Sequence, residues 1–115
     1  MAENCLFCNI ISKKIPAEIV FENEDVIAFK DINPTAPVHV LILTKKHIPT
    51  ILDIKEEDSR VLSALWGAVN KIAKDMEIDE SGFRVVANCG EDGGQEILHL
   101  HLHLLGGRQM TWPAG

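Results

Sequence analysis

Histidine and leucine alternate at His99, Leu100, His101, Leu102 and His103, and this pattern constrains the fold of the chain more than any other feature. Extended backbone turns successive side chains to opposite faces. The alternation therefore predicts a strand over Leu98 to Leu105, with Leu98, Leu100, Leu102 and Leu104 on a core face and three imidazoles on the other. Packing alone does not select a face made only of histidines, and imidazole is the side chain best suited to moving protons near neutral pH. One metal ion shared by all three is a poor fit. At about 3.3 Å per residue the α-carbons of His99 and His103 lie about 13 Å apart, whereas zinc needs each nitrogen at about 2 Å. The row reads as three separate roles.

At 115 residues the chain is expected to form one domain, 1–115, with one modest core. A hydrophobic content of 46% and a mean hydropathy near zero indicate an ordered globular protein. The net charge of −6 argues against a nucleic-acid polymer as partner, because the phosphate backbone is bound by a basic footprint. A small phosphate ligand stays open, since backbone N–H groups and histidines can hold one. The polar start, Met1 to Cys5, lacks the basic and apolar regions of a leader. No apolar run approaches the ~18 residues of a membrane span. Three cysteines make no paired framework, so a reducing, cytoplasmic setting is expected.

Periodicity places a short helix at Cys5 to Lys13 (Leu6, Phe7, Ile10 and Ile11 at helical spacing), ended by Ile15-Pro16. Strands are expected at Ile19 to Glu22 and Val26 to Lys30, joined by the turn Asn23-Glu24-Asp25, and again at Val38 to Thr44 and Gly82 to Ala87. Asp53, with Glu56 three residues on, reads as the start of one long helix. Its apolar stripe runs through Val61, Leu62, Leu65, Trp66, Val69, Ile72 and Ala73, and it ends near Met76. Gly90 to Gly94 is a glycine-rich turn, and Gly106-Gly107 closes the histidine strand. Strands and helices mix without strict alternation, which predicts an α+β fold with a largely antiparallel sheet.

The run His99 to Leu105 resembles the His-φ-His-φ-His-φ-φ signature (φ, apolar) of the histidine triad superfamily. The likeness extends, in order, to Phe29 through Pro34, Ala36 through Leu41, Lys45-Lys46-His47-Ile48, Asn88 with Gly93-Gly94-Gln95, and Gly106 through Pro113. In these blocks the chain is similar to the histidine triad nucleotide-binding branch. The resemblance implies a homodimer of α+β subunits whose sheets join. It implies binding of a purine nucleotide such as AMP or GMP, and hydrolysis of purine nucleoside 5′-phosphoramidates to nucleoside monophosphate and amine through a nucleotidyl-histidine. Other branches imply alternatives: a dinucleoside polyphosphate hydrolase or nucleotidyl transferase, or a non-catalytic nucleotide-binding module.

By the same resemblance His101 is the nucleophile, and covalent catalysis splits one hard displacement into two easier steps. His103 contacts the phosphate and assists the leaving amine, His39 hydrogen-bonds within the triad, and His99 orients the site. Asn88 and Gln95 match contacts on the phosphate side, and Asp31 matches a ribose contact. Leu6, Phe7, Ile10, Phe29, Ile32 and Leu41 match the purine pocket. Gly93 and Gly94 allow close backbone approach to a phosphate; the same residues also suit an ordinary turn. Glu96 stands where several relatives carry serine. A carboxylate beside a phosphate is unfavourable unless it points away or is protonated, although its backbone N–H can still serve. Trp112 matches a residue near the partner subunit's site.

Cys5 and Cys8 form a Cys-x-x-Cys pair. A redox pair would normally follow a strand in a βαβ unit, so structural zinc is the better functional reading, set against two cysteines that merely share a short helix. Zinc takes four Cys or His ligands. The resemblance implies Cys5, Cys8, His47 and His99 as that set, with no cofactor needed for the chemistry itself. Cys89 reads as a small buried hydrophobe.

Overall fold

A computed structural model describes residues 4–115. The polar start at Met1, Ala2 and Glu3, read above as unlike a leader, lies outside these residues. Helix α1 (Leu6–Ile11) is followed by β1 (Ile19–Glu22), β2 (Val26–Lys30) and β3 (Val38–Thr44). Two short 3₁₀ turns lead into α2 (Ser59–Asp75), and β4 (Phe83–Val86) and β5 (His101–Gly106) complete the fold. The five strands form one antiparallel sheet in the order β1-β2-β3-β5-β4. Among the described residues no helix is long and apolar enough to cross a membrane.

Strand parity divides the molecule into two layers. Val26 and Ala28 of β2, Val40 and Ile42 of β3, and Leu102 and Leu104 of β5 face one side, where they bury against Leu65, Ala68, Val69, Ile72 and Ala73 of α2. Ile27, Phe29, Leu41 and Leu43 face the other side and pack with Phe7, Cys8 and Ile10 of α1. On β2 and β3 both faces are buried, as a sheet covered on both sides demands. The β1–β2 turn is held by Asn23, whose Oδ1 accepts the N–H groups of Asp25 and Val26 at 2.9 Å each, a side-chain mimic of a backbone turn.

Two sequence expectations are corrected here. The long helix does not start at Asp53. Thr50 caps a 3₁₀ turn at Ile51–Asp53, and the Asp53 carboxylate is turned back onto the Thr50 N–H at 3.1 Å. Ile54 is extended, which breaks the helical path until Ser59. Asp58 then sits at the start of α2, fully buried, accepting from Lys46 Nζ and the Lys55 N–H.

The histidine strand is also shorter than its alternation predicts. It begins at His101, because the His99 N–H folds back to the Ile97 carbonyl at 2.9 Å and the Leu100 N–H is taken by Ile48. The alternation therefore holds for His101 through Leu104 and fails before it. His99 does not share a strand face with the other two histidines, and Leu98 is 59% exposed where a core leucine was expected.

Candidate active site

The pairing of β3 with β5 sets Leu43 opposite His101 and Leu41 opposite His103. Both imidazoles therefore emerge on the α1 side of the sheet, at the floor of a cavity of about 460 Å³. Leu6, Phe7, Ile10, Phe29, Ile32 and Leu41 contribute apolar wall, with Asp31, Asn88, Gly94 and Glu96 on the polar side. Ile15, Pro16, Ala17 and Ile97 also line it. These four lie outside any motif and are brought in only by the loop that follows α1 and the irregular approach to β5.

The donor state of each imidazole follows from fixed backbone partners. A carbonyl can only accept. His101 Nδ1 lies 2.7 Å from the His99 carbonyl, so Nδ1 carries the proton and Nε2 presents a lone pair. The opposite holds for His39. The Thr35 N–H donates to its Nδ1 at 3.1 Å, so in the neutral ring the proton is on Nε2. That Nε2–H donates in turn to His103 Nδ1 at 3.0 Å, which leaves the His103 proton on Nε2. The sheet thus sets a bare nitrogen on His101 beside an N–H on His103, with the two rings 5.1 Å apart.

Burial disfavours the charged form of an imidazole, and it lowers the pKa of His101 and of His103. For His101 the hydrogen bond to His99 and the charge of Asp31 oppose the shift. For His103 the neighbouring His101 and His39 add to it, and Asp31 opposes it. A neutral His101 with a free Nε2 is a competent nucleophile near neutral pH. Phe7 stands edge-on to its ring at 5.0 Å between centroids, which fixes the plane of attack.

His99 lines no part of this cavity. Its ring is fully buried, and Nε2 donates to the Thr44 carbonyl at 2.6 Å, so its Nδ1 lone pair is turned inward. There Cys5 Sγ lies at 3.4 Å, Cys8 Sγ at 3.5 Å and His47 Nδ1 at 3.1 Å, and Cys8 Sγ is 3.2 Å from His47. Zinc–nitrogen and zinc–sulfur bonds of about 2.1 and 2.3 Å give tetrahedral edges of roughly 3.4–3.8 Å. Two thiols and two imidazoles gathered near that spacing fit a tetrahedral metal ion. Cys5, Cys8, His47 and His99 can therefore hold one, and its part would be to tie α1, the loop after β3 and the approach to β5 together.

Other anticipated residues fall in different places. Gln95 does not reach the cavity: its side chain accepts from the Gly90 N–H and donates to the Pro49 and Ile97 carbonyls, which braces the glycine loop. Gly93 is required by that loop, since a Cβ there would meet the Cys89 carbonyl oxygen at 2.4 Å. Gly94 adopts a left-handed φ of +76° and borders the cavity. Trp112 is 83% exposed and lies outside the lining of this cavity. It lies near Arg84 of β4, whose guanidinium also donates to the Thr111 carbonyl.

The pairing of His101 with His103 is the core of a histidine triad, and a model of the HIT domain matches residues 12–110. The chain belongs to the HIT family. A crystal structure of a HIT family hydrolase from Legionella pneumophila superposes with a TM-score of 0.96 at 52% identity, covering 97% of this chain and all of that one. An uncharacterised HIT-like protein of Synechocystis is 46% identical over the full length of both. The purine nucleoside phosphoramidase of Escherichia coli is 43% identical over 96% of this chain and 92% of its own. Solved HIT structures thus share the five-stranded α+β architecture described above.

Proposed function

We propose that this HIT protein hydrolyses the phosphorus–nitrogen bond of purine nucleoside 5′-phosphoramidates. The observation that carries this reading is the pair of opposite donor states at the cavity floor, a lone pair on His101 Nε2 beside an N–H on His103 Nε2. The similarity to the purine nucleoside phosphoramidase supports the choice of substrate.

In this reading the purine lies against Leu6, Phe7, Ile10, Phe29, Ile32 and Leu41, the ribose hydroxyls on Asp31, and the phosphate near Asn88, Gly94 and the Glu96 backbone. His101 Nε2 attacks phosphorus. The P–N bond breaks, and the amine leaves with a proton that His103 holds once the phosphate anion is bound. The nucleotidyl-imidazolium keeps its positive charge shared with the His99 carbonyl through Nδ1–H. Water then attacks phosphorus, His103 takes the proton, and nucleoside monophosphate is released with His101 restored. His39 and His99 position these two rings.

Structural zinc on Cys5, Cys8, His47 and His99 belongs to the same reading. So does a homodimer formed through the free edge of β4, where the tail bearing Trp112 would reach the partner's cavity.

Release of AMP from adenosine 5′-phosphoramidate, wild type against His101→Ala, tests the proposal. Turnover is expected in the wild type and loss of at least about a thousandfold in the variant, as when a nucleophile is removed, with the AMP-induced rise in melting temperature retained. A wild type that binds AMP but releases none from the substrate overturns the reading.

A further inference from the structure

Asp31, His39 and His103 bring a carboxylate oxygen and two ring nitrogens within 4.8 Å of one another, next to the cavity but apart from the cysteine cluster. A metal is the first reading to weigh. It fails on the donor geometry: the Thr35 N–H occupies the lone pair of His39 Nδ1, so the nitrogen facing the cluster, Nε2, carries a proton and has no lone pair to offer. The group is built to hold protons.

The carboxylate is itself fixed. Asp31 Oδ1 accepts the Asn33 N–H at 2.8 Å, and the Asp31 N–H donates to the His39 carbonyl at 3.0 Å. This leaves Oδ2 at 3.4 Å from His39 Nε2. The His39 side chain is 6% exposed and the Asp31 side chain 19%, so water screens the pair little. Two further rings face His103, those of His39 and His101, and both oppose a charge on it. Among the described residues Asp31 is the carboxylate whose field opposes them, favouring the charged forms of His101 and His103 alike.

Resting on the phosphoramidase reading, we propose that Asp31 is a positioning residue for the chemistry as well as a sugar contact: its carboxylate is the counter-charge that lets the His39–His103 pair hold the proton delivered to the leaving amine. The proton arrives on His103 Nδ1 when the phosphate anion binds, and the His39 Nε2–H that had occupied that lone pair turns to Asp31 Oδ2. The proton on His103 Nε2 passes to the amine nitrogen as the P–N bond breaks, and is restored from the attacking water. Without the carboxylate His103 lacks its counter-charge and the amine must leave unaided. A leaving group that is stable as an anion makes no such demand.

The test compares two substrates that share the adenosine 5′-phosphoryl group: an alkylamine phosphoramidate and a p-nitrophenyl ester. Asp31→Asn keeps the acceptor for the Asn33 N–H and removes the charge. Both substrates should show the same rise in KM from the altered sugar contact. The ratio of kcat for the phosphoramidate to kcat for the ester should fall by about a hundredfold, the low end of what positioned proton transfer supplies. His39→Gln should lower the same ratio, which guards against a local fault in the Asp31 loop. An unchanged ratio in Asp31→Asn, with only KM raised or both kcat values lowered equally, overturns the proton-holding role. A wild type that cleaves the ester and leaves the phosphoramidate intact overturns the phosphoramidase reading instead.

Discussion

His101 and Asp58 show how much one buried polar group depends on its partners. The imidazole of His101 gains its role from a single hydrogen bond to the backbone of His99, an interaction that side-chain substitution cannot remove directly. Asp58 is the structural counterpart. Its carboxylate, 3% exposed, receives Lys46 Nζ and the Lys55 N–H at the head of α2, and the Lys46 ammonium, followed by the Lys55 N–H, holds its pKa below the ordinary aspartate range. A lowered folded-state pKa contributes stability that is present above the unfolded value, about 4, and is lost as pH falls through the folded value. Asp58→Asn should therefore melt below the wild type at pH 7, and the gap should narrow as pH is lowered from 4 toward 2. A gap that stays constant over that interval would mean that shape, not charge, holds the position. Residue identities were legible at this scale and protonation states were not. Which nitrogen of His39, His99 or His101 bears hydrogen is decided by a carbonyl or N–H that the fold carries to it.

At the scale of elements, parity was the most legible feature. Strands β1, β2 and β3 lie where their apolar patterns place them; for β2 and β3 the reason is that a strand buried on both faces tolerates almost no polar residue. The two misplacements share a cause. Asp53 and His99 have sequence contexts that continue a helix and a strand, yet each is captured by a local backbone partner that ends the element. His99 leaves the strand face and enters the cysteine cluster, which joins α1 to the approach to β5. Metal binding there should be visible as stability, since a ligand of the folded state raises its free energy by RT ln(1 + [L]/Kd). Zinc-loaded protein is expected to carry about one ion per chain and to melt several degrees above chelated protein, a difference of about 1 kcal/mol being worth roughly 4–8 °C at this size. Cys8→Ala should abolish the difference. Equal melting temperatures with and without chelator would assign the cluster to packing alone.

Across the whole molecule, β4 ends the sheet with an open edge, and such an edge is a ready template for pairing with another chain. Phe83 at its start is 38% exposed, and Trp66 on α2 is 52% exposed. Arg84 holds the tail against the same strand through the Thr111 carbonyl. Sedimentation equilibrium is expected to return twice the 12.7 kDa of one chain, and Val85→Pro should shift it toward monomer by removing a ladder donor. A wild type that sediments at 12.7 kDa down to low salt would remove the dimer and with it any reach of Trp112 into a second cavity. The sequence by itself determined the α+β class, most of the apolar faces and the ordered family motifs, because side-chain parity and residue chemistry are local properties. Only the tertiary structure decided that His99 turns away to the cysteines, that His101 and His103 present opposite nitrogens, and that Asp31 stands against His39. The cysteine contacts of His99 and the His39–His103 hydrogen bond join groups far apart in the chain. The His99 carbonyl on His101, the Thr35 N–H on His39 and Asp31 beside His39 are nearer in sequence, but a backbone carbonyl or N–H partner has no signature there.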